Sequence, residues 1–114
     1  MFEFQKLEVY KKAKTFHQNC LNLLNDNKIN KTAKDQLNRA SFSIALNIAE
    51  GSGRFSNPDR RKFFIISRSS VFECVAILDI LHDSNHIETT ICKEMLQYAD
   101  ELSRILYSMI KNLS

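Results

Sequence analysis

Apolar residues recur along the chain in alternating three- and four-residue steps, the spacing that puts them on one face of a helix. In the first stretch Val9, Ala13, Phe16, Cys20 and Leu23 form such a stripe, widened by Leu7, Tyr10, His17, Leu21 and Leu24. The pattern predicts a helix over about 4–25, ended by Asn25-Asp26-Asn27, whose side chains bond their own backbone and favour turns. A second helix, over about 30–51, opens on the polar Lys31, Lys34, Asp35, Gln36 and Asn38. It then carries Leu37, Ala40, Ile44 and Ile48 among the small residues Ser41, Ser43, Ala45 and Ala49. A third, over about 58–82, is apolar on nearly every side from Phe63 to Leu81. A fourth, over about 89–111, keeps Ile91, Met95, Tyr98, Leu102, Ile105, Met109 and Leu113 close to a heptad repeat, broadened by Leu106 and Ile110. Four amphipathic helices with short connections predict an all-α fold, an antiparallel up-and-down four-helix bundle forming one domain over residues 1–114.

The connections carry their own signals. The only two glycines, Gly51 and Gly53, follow the second helix and are expected to close it, with Gly51 in the left-handed conformation. Asn57 before Pro58 suits a helix cap with proline at the first helical position, while Ser56 with Asp59 three residues on is a competing cap. The third helix raises a different question. Apolar residues on every side need a partner on every side, and four helices cannot encircle one of their own number. Self-association through this helix is the economical expectation.

Two glycines and one proline leave little turn material for an all-β chain. No run approaches the roughly 18 apolar residues of a membrane span, and the amino terminus has no signal-peptide pattern, so a cytoplasmic protein without membrane contact is expected. Cys20, Cys74 and Cys92 are odd in number and widely spaced, which fits free thiols in a reducing compartment. The formal charge is only +3, but it is uneven. Residues 1–57 carry nine Lys/Arg against five Asp/Glu, and residues 58–114 carry seven against eight. Arg54, Arg60, Arg61, Lys62 and Arg68 form the densest basic cluster, with Lys11, Lys12 and Lys14 as a second group on the first helix. Cations in the first turn of a helix oppose its dipole, and an anionic partner would relieve that conflict. A merely solvated surface is the competing reading.

A polar set interrupts the small, apolar face of the second and third helices: Arg39, Asn47, Glu50, Arg54, Arg68, Ser69, Ser70 and Glu73. Buried polar groups are stable only when hydrogen-bonded, so a structural network of Arg39, Asn47, Glu50, Ser70 and Glu73 is expected, with Asn47 and Glu50 substantially buried. Signs of enzymatic chemistry are weak. No glutamate has a histidine three residues on, as a di-iron bundle would require, and Gly51-Ser52-Gly53 follows a helix where a phosphate-binding loop would follow a strand. His17 with Cys20, and His82 with His86, lack the further ligands a metal would need. No catalytic residue, metal or cofactor is expected.

Ser43-Ile44-Ala45-Leu46-Asn47-Ile48-Ala49-Glu50-Gly51-Ser52-Gly53-Arg54 resembles the signature of the 23S rRNA intervening-sequence proteins, a family of small bacterial four-helix bundles. Gln36 to Ser41, Phe4 to Ala13 and Arg68 to Glu73 match it too, in order and over most of the chain. Where the family usually has Gly-Ser in the third helix, this chain has Ser69-Ser70, which asks for more room between the second and third helices. The resemblance implies a homopentameric ring. It extends to accessory proteins of diversity-generating retroelements, similar bundles that bind nucleic acid and a reverse transcriptase.

The expected function is therefore a non-enzymatic homo-oligomer that binds RNA, DNA or a ribonucleoprotein through its basic surface. Most Phe residues fall on apolar stripes, so few exposed aromatics and little base specificity are expected. The alternative is a protein-interaction adaptor, with a reverse transcriptase or another protein as partner, whose charges only keep it soluble.

Overall fold

Met1–Ser114 are all described by the structure, a computed structural model. It is all-helical and contains no strand: α1 (Glu8–Leu23), α2 (Lys31–Ser52), α3 (Asn57–Asp83) and α4 (Thr89–Asn112). Two of the starts have side-chain caps. Asn30 Oδ1 accepts the Ala33 N–H at 2.8 Å, and Ser56 Oγ accepts the Asp59 N–H at 3.2 Å. Of the two caps open in the sequence before Pro58, Ser56 is the one formed, and Asn57 is already helical.

α1 begins later than its periodicity implied. Glu3–Lys6 winds as a 3-10 turn, and Leu7 is extended (φ −69°, ψ 131°) before Glu8 starts the helix. Gln5 Oε1 accepts the Phe2 N–H at 2.8 Å, and the Phe4 ring meets Tyr10 edge-on at 5.0 Å. These contacts fold the segment back over the end of α1 and α2 where a straight helix would have projected it into solvent.

The glycines do something other than expected. No glycine has a positive φ; α2 runs through Gly51 to Ser52, and Gly53 caps it at φ −87°, ψ −6°. Gly51 is buried, and a Cβ there would lie 2.7 and 2.9 Å from the Phe64 ring and 3.1 Å from the Arg60 carbonyl oxygen. Its missing side chain is the space into which the start of α3 packs. The left-handed residue is Asn85 (φ 61°), between α3 and α4. There the His86 N–H bonds the Leu81 carbonyl at 2.9 Å and the Asn85 N–H bonds that of His82 at 3.0 Å, a Schellman closure.

One cluster of 21 buried apolar residues draws on all four helices, with Phe16, Leu37, Ile44, Ile48, Leu78, Leu102 and Leu106 fully enclosed. Each helix packs on its chain neighbours, and α1 also meets α4. The buried stripe of α4 is Cys92, Met95, Ala99, Leu102 and Leu106. It lies beside the one its bulky residues suggested: Ile91 is exposed, and Tyr98 and Ile105 sit half-buried on the flank. Small Cys92 and Ala99 let α4 approach closely, so the larger side chains are displaced to the edge.

α3 turns Phe64, Ser67, Ser70, Val71, Cys74, Leu78 and Leu81 inward. Ile65, Ile66, Phe72 and Ile80 stay exposed on its outer side, as do Phe42 and Leu46 on α2. Ser69 is exposed as well, so it occupies outer surface and asks for no extra room between α2 and α3. No helix is long and apolar enough to cross a membrane.

Candidate nucleic-acid interface

The α2–α3 corner gathers half of the eight basic residues singled out from the sequence. α2 continues far enough for Glu50 and Arg54 to pair, with Arg54 Nη2 donating to Glu50 Oε2 at 3.1 Å. The Arg54 guanidinium also lies 4.6 Å from the centre of the Phe63 ring, and Lys62 Nζ lies 5.8 Å from the same ring. Arg60 Nε donates to the Arg54 carbonyl at 2.6 Å, tying the first turn of α3 back to the loop. Arg61 is half-buried, and its Nε is enclosed with no hydrogen-bond partner. Ion pairs form elsewhere on the surface, but none involves Arg60, Arg61 or Lys62.

A cleft of about 860 Å³ opens beside this corner. Its walls carry Phe55 and Phe63 together with Arg54, Glu50, Asp59 and Asn47. Phe55 is completely exposed (101%) on the loop between α2 and α3. The expectation of few exposed aromatics fails here and at Phe2, Phe42, Phe72 and Tyr107. A signal was present in the sequence: Phe55 lies in the turn segment, off every apolar stripe.

The other candidate cations are engaged elsewhere. Arg68 Nε donates to the Ser103 carbonyl of α4 at 3.1 Å, and its guanidinium lies between the rings of Phe72 (4.8 Å) and Tyr107 (5.5 Å). Lys12 reaches Glu101 of α4 at 3.4 Å and lies over Tyr98. At about 100° per residue Glu101 and Ser103 fall on opposite sides of α4's buried stripe, so Lys12 and Arg68 grip it from opposite edges. Lys11 pairs with Glu8 at 3.6 Å, and Lys14 lies over Tyr10. The corner cluster is thus Arg54, Arg60, Arg61 and Lys62. The lysines of α1 form a separate surface.

The polar set of α2 and α3 divides in two. Along the seam between these helices Ser67 Oγ donates to the Ile44 carbonyl at 2.8 Å and Ser43 Oγ meets Ser70 Oγ at 2.9 Å. Asn47 Nδ2 donates to the carbonyl and hydroxyl oxygens of Ser43 at 2.8 and 2.9 Å. Asn47 is half-buried and reaches α3 only through Ser43. At the outer edge Arg39 donates to Glu73, bridging α2 and α3. Glu50 departs from expectation: it is exposed and bonded to Arg54, because the corner leaves it facing the open cleft. Ser43 and Ser67 were not singled out in the sequence, where nothing separates a seam serine from a solvated one.

Elsewhere the polar chemistry is inward-facing. His17 Nδ1 lies 2.7 Å from Ser41 Oγ, which also donates to the Asn38 carbonyl. Partial burial lowers the His17 pKa below its usual value, and the ring packs against Phe42. Burial pushes the Cys20 thiol up to about 12, against a smaller opposing effect of its hydrogen bond to Ser41. Burial raises Cys74 and Cys92 too. Ser41 is fully enclosed, so its hydroxyl cannot meet a substrate. At the opposite end of α3, His82 Nε2 contacts Thr89 Oγ1 at 3.1 Å, and no group of three or more His, Cys, Asp or Glu converges as a metal site.

Four helices around one apolar core, with a cationic and aromatic corner, define a small all-helical protein. The chain belongs to the 23S rRNA-intervening sequence protein family, whose pattern matches residues 5–108. It is similar to a crystal structure of a protein of unknown function from the S23 ribosomal protein family of Bacteroides thetaiotaomicron, with a TM-score of 0.85. That match has 24% identity and covers 90% of this chain and 98% of the other. Among curated proteins, none matches the sequence.

Proposed function

We propose that the protein is a non-enzymatic homo-oligomer that binds nucleic acid, or a ribonucleoprotein, through the α2–α3 corner. The observation that carries this reading is the run Arg60, Arg61 and Lys62, three successive cations at the start of α3 without a carboxylate partner. α3 begins at Asn57, earlier than the sequence suggested, so Arg61 and Lys62 lie beyond its first turn and the helix dipole acts on them little. Adjacent cations without carboxylate partners still repel one another, and phosphates are anions in regular array that relieve this. The family's name, which refers to an intervening sequence of 23S rRNA, agrees with such a partner.

Assembly supplies the multiplicity. The helices form an antiparallel up-and-down bundle in this reading, and copies close into a cytoplasmic ring, a homopentamer by family resemblance. The exposed Ile65, Ile66, Phe72 and Ile80 of α3 and Phe42 and Leu46 of α2 support an interface between copies, since clustered apolar surface favours association. One chain holds too little charge to bind a polyanion tightly, but a ring repeats the corner once per subunit and multiplies the phosphates contacted. Kinship with the accessory proteins of diversity-generating retroelements would add a reverse transcriptase as protein partner.

The test is titration of labelled RNA and DNA at several salt concentrations with wild type and an Arg60→Glu/Arg61→Glu/Lys62→Glu variant. Light scattering alongside should give a mass near five times the 13.2 kDa chain. Binding that weakens steeply with salt and is lost in the variant is expected. If wild type fails to bind at low salt, or the variant binds equally well, the adaptor reading replaces this one. The involvement of Arg54, Arg68, Lys11 and Lys12 in contacts within the chain is what favours that alternative.

A further inference from the structure

Phe55 is the one large aromatic that touches nothing. Phe2 stacks on Phe4, Phe42 packs on His17, and Phe72 and Tyr107 flank Arg68. Phe55, by contrast, stands wholly in solvent. Exposing a phenyl ring forfeits the transfer free energy that burial would return, and nothing within the chain compensates for it here. Nor does the ring sit on loose chain. The Gly53 N–H bonds the Ala49 and Glu50 carbonyls at 3.2 and 3.1 Å, and the Arg54 N–H bonds that of Gly51 at 3.2 Å. Arg60 holds the Arg54 carbonyl, and Ser56 caps α3. The residues on both sides of Phe55 are fixed, so the ring is held out at a defined place.

Its surroundings identify the occupant. Arg54 precedes it in the chain, and Arg54 and Lys62 both lie over Phe63, the second aromatic of the same cleft. A protein partner of ordinary apolar character would leave these cations desolvated. A nucleotide strand satisfies both, because it offers a flat π-face and a phosphate with every residue. The carboxylates of Glu50 and Asp59 on the cleft wall repel phosphate from the interior. They accept hydrogen bonds from base amino groups, so the wall favours bases inside and phosphates at the rim.

Building on the nucleic-acid reading above, we infer that Phe55 is a stacking platform for an unpaired base, and that the α2–α3 corner takes single-stranded rather than duplex nucleic acid. Lys62, which has no carboxylate partner, contacts a phosphate flanking the stacked base, while Arg54 stays paired with Glu50 and borders the cleft. Duplex is disfavoured because its bases are already stacked on one another and offer Phe55 no free face.

The experiment compares an 18-nucleotide single strand, the same strand with abasic sites throughout, and the matched duplex, by fluorescence anisotropy at several salt concentrations. Wild type should bind the single strand tightest. Phe55→Ala should lose about 5- to 150-fold for the single strand, the range seen when one stacking aromatic is removed, while its affinity for duplex and abasic strand stays put. Its salt slope should not change, because no phosphate contact is lost. The chain has no tryptophan, so Phe55→Trp introduces a single indole. Its emission should be quenched by the single strand and not by the abasic one.

Equal affinity of wild type and Phe55→Ala for the single strand would overturn the stacking role while leaving the corner's electrostatic binding intact. Loss of all binding in wild type at low salt would overturn both. A change of assembly mass in Phe55→Ala, with single-strand affinity unaltered, would assign the ring to a contact between copies and equally overturn the inference. Phe55 is fully exposed, so the variant's melting midpoint should match wild type.

Discussion

Gly51 and Gly53 stand two residues apart, and the same substitution should move stability in opposite directions at the two sites. At Gly51 the backbone is helical and has no positive φ, so alanine gains up to about 1 kcal/mol of helix propensity. Against that stands the space its Cβ would need, 2.7 Å from Phe64 Cε1 and 2.9 Å from Cδ1. The Phe64 ring cannot swing away freely, because it is buried at 5% exposure in the core. The third contact, 3.1 Å to the Arg60 carbonyl, is backbone and can yield only if the start of α3 moves. Overpacking of this kind costs about 1–3 kcal/mol, so Gly51→Ala should be destabilising by about 1–2 kcal/mol. That corresponds to a fall of roughly 4–8 °C in melting midpoint for a chain of this length.

At Gly53 a Cβ would meet only the Glu50 and Ala49 carbonyls, at 3.6 and 3.8 Å, which is ordinary contact. Gly53→Ala should therefore be neutral or stabilise by about 0.4–1 kcal/mol, through reduced freedom of the unfolded chain. Differential scanning fluorimetry of both variants reads the sign directly. A double-mutant cycle of Gly51→Ala with Phe64→Leu isolates the contact, and a coupling of about 1 kcal/mol or more is expected when the ring is removed. If Gly51→Ala melts at or above wild type, or the two alanine variants shift the midpoint alike, the close-approach explanation is wrong.

The remaining predictions concern titratable groups. Partial burial lowers the His17 pKa, so its contribution to stability is complete above the unfolded value of 6.5 and is lost as pH falls below it. Denaturant midpoints between pH 7.5 and 5.5 should fall for wild type and fall less for His17→Gln; identical slopes would refute the assignment. The buried thiols carry the opposite sign: with Cys20 raised to about 12, stability should decline as pH climbs above the unfolded value of 9.0, where only the unfolded chain ionises. At pH 8 the folded protein should react with Ellman's reagent far more slowly than the denatured protein, which should release three equivalents. Rapid labelling of any one thiol in the native state would contradict the burial described.

Helix count and type were legible in the sequence because they depend on local information. The period of Val9, Ala13, Phe16 and Cys20 and the cap offered at Ser56 need no knowledge of the rest of the fold. What could not be read depended on distant residues. A glycine near a helix end looks the same whether it is needed for a left-handed turn or for close approach, and only Phe64 on the next helix distinguishes the two at Gly51. The left-handed position fell instead on Asn85, in a segment readable only as polar. The buried stripe of α4 was displaced because the small side chains of Ala99 and Cys92 stand out little in a pattern of bulky residues, yet both are buried. The candidate site was legible as a list of cations. Which of them another side chain already held, as α4 holds Arg68 and Lys12, was decided by tertiary contact.

The seam between α2 and α3 also bears on how the protein comes apart. These two helices share the most extensive contact in the molecule, and α1 with α4 the least extensive between any two packed α-helices. Small side chains and direct hydrogen bonds, Ser67 to Ile44 and Ser43 to Ser70, leave that seam no slack into which water could advance by degrees. Local openings follow the thinnest packing, so α1 and the Asn25–Asn30 connection should exchange their amide hydrogens first and the α2–α3 pair last. The corner bearing Phe55, Arg60 and Lys62 is built entirely on that last-surviving unit. The helices that carry it can therefore outlast the departure of α1, while the turn at Glu3–Lys6, which shares a cavity with Ser52, Gly53 and Arg60, is the one neighbour whose loosening would reach the corner.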